Sequence, residues 1–131
     1  MVRPVLSWAR RARLVHQRDG DTLVLQADAG YGVAVTVVVR LLGVDTPEAI
    51  GRTRAAGLAA KAFAADWLAG ATGDWPLLLD TLPDDTDRYG RWLGTLWRGD
   101  DPVSLNEALV AAGQAVAWDG RGGHPAPAGG G

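Results

Sequence analysis

Two short acidic turns hold the side chains of this sequence best suited to chemistry. Asp19-Gly20-Asp21-Thr22 and Asp45-Thr46-Pro47-Glu48 each neighbour a β-prone run and offer only oxygen ligands. The absence of cysteine removes a thiol nucleophile, a disulfide framework and any thiolate zinc site. His16 and His124 stand far apart with no pairing pattern between them, and read as unrelated surface residues. That leaves carboxylates and a hard cation of the calcium or magnesium type. Turns at one rim of a small barrel converge, so Asp21 and Asp45 are expected to meet around one ion, with the Thr46 carbonyl as third ligand. Taken singly, each turn reads as solvated punctuation.

Arg40 is a more pointed signal because it interrupts the apolar run Val37-Val38-Val39-Arg40-Leu41-Leu42. A guanidinium there must snorkel out, find a carboxylate or face a site for an anion, since an unpaired buried charge is costly. A second basic site is Asp87-Arg88-Tyr89-Gly90-Arg91, where Gly90 permits a tight turn before a strand that Arg91 begins. Alone it reads as a hairpin with surface charges. Acids for a hard cation, two arginine forks for a phosphate and a spare Glu48 together make up what metal-assisted phosphodiester hydrolysis requires.

These residues need elements to position them. The β-prone segments are Arg13 to Arg18, Thr22 to Ala27 and the long run Val33 to Val44, continuous enough to predict that both its faces are covered. Arg54 to Ala69 reads as an amphipathic helix with Ala59, Phe63 and Trp67 on its apolar face and Gly70 as its stop. Trp75 to Leu79, placed at an edge by Pro76, and Trp92 to Trp97 are further strands, separated by a turn-rich stretch from Asp80 to Gly90. Ser104-Leu105-Asn106-Glu107 has the capping-box form and opens a short helix that ends at Gly113. Three strands, helix, two strands, helix predicts an α+β domain: a five-stranded Greek-key barrel of the OB type with two helices, with an open α+β sandwich as fallback.

At 131 residues the chain has room for one domain of ordinary size. It divides into a basic N-terminal segment (1–11), the barrel domain (12–121) and a Gly/Pro/Ala tail (122–131) too poor in apolar side chains to order itself. A net charge of -2 argues against a non-specific nucleic-acid coat. The distribution is uneven: residues 1–18 carry five Arg and no acid, leaving eight basic against 15 acidic side chains elsewhere. No apolar run is long enough to span a membrane, and the N-terminus lacks the apolar core of a secretory signal, so a cytoplasmic location is expected.

Four ordered motifs resemble those of the staphylococcal nuclease-like (thermonuclease) family: Asp19-Gly20-Asp21-Thr22, Arg40 to Glu48, Asp87 to Arg91, and Asn106 to Val110. The match spans roughly residues 12 to 118, and the turn at Asp28 to Gly32 with the Trp118-Asp119-Gly120 ending resembles the compact bacterial and phage branch.

The resemblance implies an OB-fold nuclease that binds one calcium ion and cleaves DNA or RNA, preferring single strands and leaving 3′-phosphates. By position, Asp21 and Asp45 match the metal carboxylates, Thr46 the carbonyl ligand and Asp19 an acid reaching the ion through water. Arg40 and Arg91 match the phosphate-clamping arginines, Glu48 the carboxylate that directs the attacking water, and Tyr89 a tyrosine that hydrogen-bonds phosphate. The staphylococcal type has tyrosines near its base pocket where this chain has Trp118, a residue open to base stacking or core packing. Its third helix has no counterpart after Gly120, a face that Val5, Leu6 and Trp8 could cover. Residues 49–57, with Arg52 and Arg54, suit either a substrate loop or a solvated helix start. A non-catalytic nucleic-acid-binding OB module and a structural or assembly protein are the rival readings; oligomeric state is left open.

Overall fold

In a computed structural model, which describes residues 1–119, five strands close into a barrel with neighbours in the order β1-β2-β3-β6-β5. The elements are β1 (Ala9–Gln17), β2 (Thr22–Gly30), β3 (Val33–Leu41), β4 (Val44–Asp45), α1 (Arg54–Ala69), β5 (Leu77–Thr86), β6 (Trp92–Arg98), α2 (Leu105–Ala111) and β7 (Val116–Ala117). All barrel pairings are antiparallel except β3 with β6, where Arg40 stands opposite Leu93. The expected mainly-β barrel with two helices is therefore present. Among the described residues, no helix is long and apolar enough to cross a membrane.

Alternation along the strands builds the core. Leu23, Leu25, Val39, Leu41, Leu79 and Leu96 turn inward, and Leu105 and Leu109 of α2 and Ala64, Trp67 and Leu68 of α1 join them. Ser104 caps α2 as expected: its Oγ accepts from the Glu107 N–H at 3.1 Å and donates to the Glu107 carboxylate. α1 has the expected bounds but a different inner face. Gly57, Ala60, Ala64, Trp67 and Leu68 are buried, Phe63 is half-buried and Ala59 is exposed, because small residues let the helix lie close to the barrel.

Several sequence expectations need correction. β3 is covered only at its far end: Val33 and Val35 are exposed, since the first half of the strand pairs with β2 alone as a hairpin and β6 joins only at Val39–Leu41. That hairpin turns through Tyr31 and Gly32, both at positive φ, which matches the strands' twist. The run to Val44 is also broken, as Gly43 at φ 78° turns the chain before β4. β1 begins at Ala9, earlier than expected. β5 lies at no edge, pairing with both β1 and β6, and Pro76 precedes it. The strand continues to Thr86, so the expected long turn shrinks to Asp87–Gly90.

At the N-terminus, Val5 and Leu6 are exposed and cover no face among the described residues, whereas Trp8 stacks on Trp92 at 6.4 Å. Of the other tryptophans, Trp67 is buried, and Trp75, Trp92 and Trp97 are half-buried. His16 is exposed on β1, while His124, the expected 122–131 tail and the chain after Gly120 lie outside the described residues.

Candidate active site

The β2–β3 pairing sets the geometry. Thr22 stands opposite Arg40, so the turn before β2 and the chain leaving β3 meet at one end of the barrel. The Arg40 guanidinium is buried between the two acidic turns. Its Nη1 lies 3.1 Å from Asp21 Oδ2, and Nη2 donates to Asp45 Oδ1 at 2.9 Å. Nη1 also donates to the Val44 and Leu41 carbonyls at 2.9 and 3.2 Å, which fixes the plane of the fork. Of the three fates open to an arginine in this run, Arg40 has found carboxylates.

Asp21 is held from several sides. Its Oδ2 accepts the Thr46 N–H at 2.9 Å, tying the two turns together, and its own N–H donates to Asp19 Oδ1 at 3.2 Å. Burial pushes the Asp19 carboxyl up to about 6, helped by the hydrogen bond and charge of Asp21. Gly20 between them is a packing requirement: a Cβ there would meet the Thr46 side chain and Ala60 Cβ at 3.0 to 3.1 Å.

The second basic motif forms a self-contained turn. Asp87 Oδ1 accepts the N–H groups of Tyr89 and Arg91, and Oδ2 accepts Arg91 Nε at 2.7 Å. Burial pushes the Asp87 carboxyl up, but the two backbone donors and the Arg91 guanidinium outweigh it and hold the group below its ordinary value. Gly90 takes φ 77°, which closes the turn. The bond to Asp87 engages Nε of Arg91, and the guanidinium also lies 5.2 Å from the exposed Tyr89 ring.

Arg40, Tyr89, Arg91 and Trp118 line one cleft of about 560 Å³, together with Asp87, Arg88 and Asp119. Trp118 reaches it through the β4–β7 ladder, which pairs Val44 with Ala117, and by donating its backbone N–H to the Gly43 carbonyl at 2.9 Å. Its ring lies 5.9 Å from the Arg40 guanidinium. The half-buried indole borders the cleft and so stands where stacking is open to it.

The remaining expected residues do not line the cleft. Asp21, Asp45 and Thr46 meet behind Arg40, with Asp19 beside Asp21. Glu48 is exposed and among the described residues makes no ion pair; its backbone is what the fold grips. Its carbonyl accepts Thr53 Oγ1 at 2.6 Å, and Gly57 of α1 packs so closely that a Cβ would lie 2.5 to 2.6 Å from backbone atoms of Ala49 and Glu48. Residues 51–53 form a single 3-10 turn leading into α1, with Arg52 and Arg54 exposed.

No group of three or more acidic or histidine side chains is arranged as a ready metal cage among the described residues. The donors nevertheless suit a hard cation. Two carboxylates already bracket one positive group, and Asp19 is crowded by Asp21 in a way a cation would relieve.

Gly20, Gly57, Thr53 and Asn106 are the supporting residues that sequence reasoning gave no role. Asn106 is buried, its Oδ1 accepting Leu96 N–H and its Nδ2 donating to the Leu42 and Gly94 carbonyls. It thereby anchors the chain just beyond Arg40.

The sequence matches the family described as staphylococcal nuclease homologue over residues 38–124. It is also 36% identical over 120 residues to Protein ParB of Escherichia coli, covering 86% of this chain and 60% of ParB. The chain thus spans about three fifths of that relative's length.

Proposed function

Because the chain belongs to the staphylococcal nuclease homologue family, we propose that it is a calcium-dependent phosphodiesterase. It hydrolyses DNA and, as a second substrate, RNA, prefers single strands and leaves 3′-phosphates. The observation that carries this reading is that Arg40 of β3 and Arg91 of the turn before β6 line a single cleft with Tyr89 and Trp118.

In this reading the scissile phosphate sits between the two guanidinium groups. Arg40 is oriented by backbone carbonyls and Arg91 by Asp87, so each fork is fixed before substrate arrives. Charge that develops on the phosphoryl oxygens is met by donors that need no rearrangement. Tyr89 donates its hydroxyl to the phosphate, and Trp118 offers a face to a neighbouring base. Glu48 accepts a proton from the attacking water, and hydrolysis adds hydroxyl to phosphorus and a proton to the departing 5′ oxygen. Asp21, Asp45 and the Thr46 carbonyl would hold one calcium ion, with Asp19 contributing through water, and the ion when bound supplies a Lewis acid for the phosphoryl oxygen.

Heat-denatured DNA tests the reading. Digestion should require calcium, stop with EDTA and in Asp21→Ala, fall in magnesium, and yield 3′-phosphate ends. Equal digestion with EDTA would overturn the metal's role. Binding without digestion in calcium would favour the non-catalytic OB module.

A further inference from the structure

Arg11 and Arg13 flank the fully buried Ala12 on β1, so they project from the barrel's outer face. Cross-strand register aligns Arg13 with Gln26 and Gln26 with Thr36, while Asp28 stands opposite Ala34. Thr22 and Arg40 form a row on the same face of β2 and β3, an even number of residues away. The Arg13 row therefore lies four residues along β3 from the Arg40 row, about 13 Å, and the Asp28 row six residues, about 20 Å.

This outer face carries its own aromatic and basic cluster. The Arg13 guanidinium lies 4.4 Å from the centroid of Trp75, and that of Arg11 lies 5.9 Å away. Both arginines, Trp75, Asp28 and the fully exposed Tyr31 line a depression of about 350 Å³. Arg11 is neutralised by Asp28 at 2.6 Å, whereas Arg13 donates Nε to neutral Gln26 and makes no ion pair among the described residues. A second depression, lined by Arg18, Val38, Tyr89 and Arg91, lies between this cluster and the cleft. Val38 belongs to the row next to Arg40, and Tyr89 and Arg91 also line the cleft.

We propose that Arg13, Trp75 and Tyr31 form an accessory site that holds a single nucleic-acid strand a few nucleotides from the phosphate bound between Arg40 and Arg91. The site rests on the reading given above and deepens it. The exposed Tyr31 phenol accepts any base by stacking, the Arg13 guanidinium carried on Trp75 offers a flat cationic face beside it, and the net positive charge attracts the backbone. A duplex keeps its base faces stacked on one another, so the same site selects for single strands.

The test reads binding separately from cleavage. A fluorescent single-stranded DNA dodecamer is titrated by anisotropy in EDTA against wild type, Arg13→Ala, Trp75→Ala and Tyr31→Ala. Cleavage of the dodecamer and of a dinucleotide is then followed in calcium. Arg13 is exposed, so Arg13→Ala is the variant expected to keep its fold, checked by its melting curve. Kd should rise at least about fivefold in Arg13→Ala and Trp75→Ala. KM for the dodecamer should rise with it, while kcat and dinucleotide cleavage stay unchanged. Wild-type dodecamer affinity in all three variants overturns the accessory site, and so does an equal loss on the dinucleotide. Weakened binding in Arg13→Ala together with no cleavage by wild type upholds the accessory site and overturns the phosphodiesterase reading.

Discussion

Arg40 holds Asp21 at 3.1 Å with both side chains more than nine-tenths buried, and the same Asp21 oxygen accepts the Thr46 N–H. One guanidinium thus joins the two acidic turns while also facing the cleft. Removing it should leave the buried Asp21 carboxylate without this ion pair, a change that costs roughly 3 kcal/mol or more when one partner of a buried pair is lost. Arg40→Ala should therefore lower the chemical-denaturation midpoint, and calcium should restore part of the loss by replacing the missing charge. Unchanged stability would show that the pair holds nothing together.

Gly57→Ala should invert a familiar rule. In an exposed helix that change gains up to about 1 kcal/mol, but here the new Cβ meets the Ala49 and Glu48 backbone. Overpacking of this kind costs about 1 to 3 kcal/mol. Denaturation should show a net loss of stability, with cleavage falling because Glu48 is displaced; a gain in stability would refute the close contact.

Asn106→Asp keeps size and shape but turns two donated hydrogen bonds into oxygen facing the Leu42 and Gly94 carbonyls. The cost should be about 2 kcal/mol or more by denaturation. Because Leu42 follows Arg40 by two residues, kcat should drop as well. Wild-type stability would show that these bonds are not made.

The ion-free site should also be sensitive to pH. Asp19 is raised from 3.8 to about 6, by burial first and then by Asp21. A carboxyl raised in this way contributes stability that is full below 3.8 and lost as pH rises through about 6. A cation must displace that proton, so calorimetry should show weaker calcium binding at about pH 5 than at about pH 7.5, with proton release at the lower value. Affinity independent of pH across that range would exclude Asp19 from the site.

Local chemistry in the sequence carried much of this arrangement. The capping box at Ser104 and the bounds of α1 follow from short-range signals, the meeting of the Asp21 and Asp45 turns follows from closing the strands into a barrel, and all three are present. What escaped depends on distant partners. Val33 and Val35 read as buried by composition, yet both are exposed on the outlying half of the hairpin, where β3 pairs with β2 alone. The β4–β7 ladder involves only two residues on each side, too few for a periodic signal, yet it puts Trp118 beside Arg40. Gly57 resembles any tolerated helix glycine until the Glu48 backbone is seen against it.

In the proposed reaction Arg40 and Arg91 act on one phosphate, and single-turnover cleavage of a single-stranded DNA in calcium by Arg91→Ala and Arg40→Lys measures this most directly. Arg40→Lys keeps a positive charge between the carboxylates and removes the fork, and a melting curve for each variant separates loss of rate from loss of fold. Each variant should lose roughly 10² to 10³ in rate while still binding the strand. Wild-type rates in both would contradict the account.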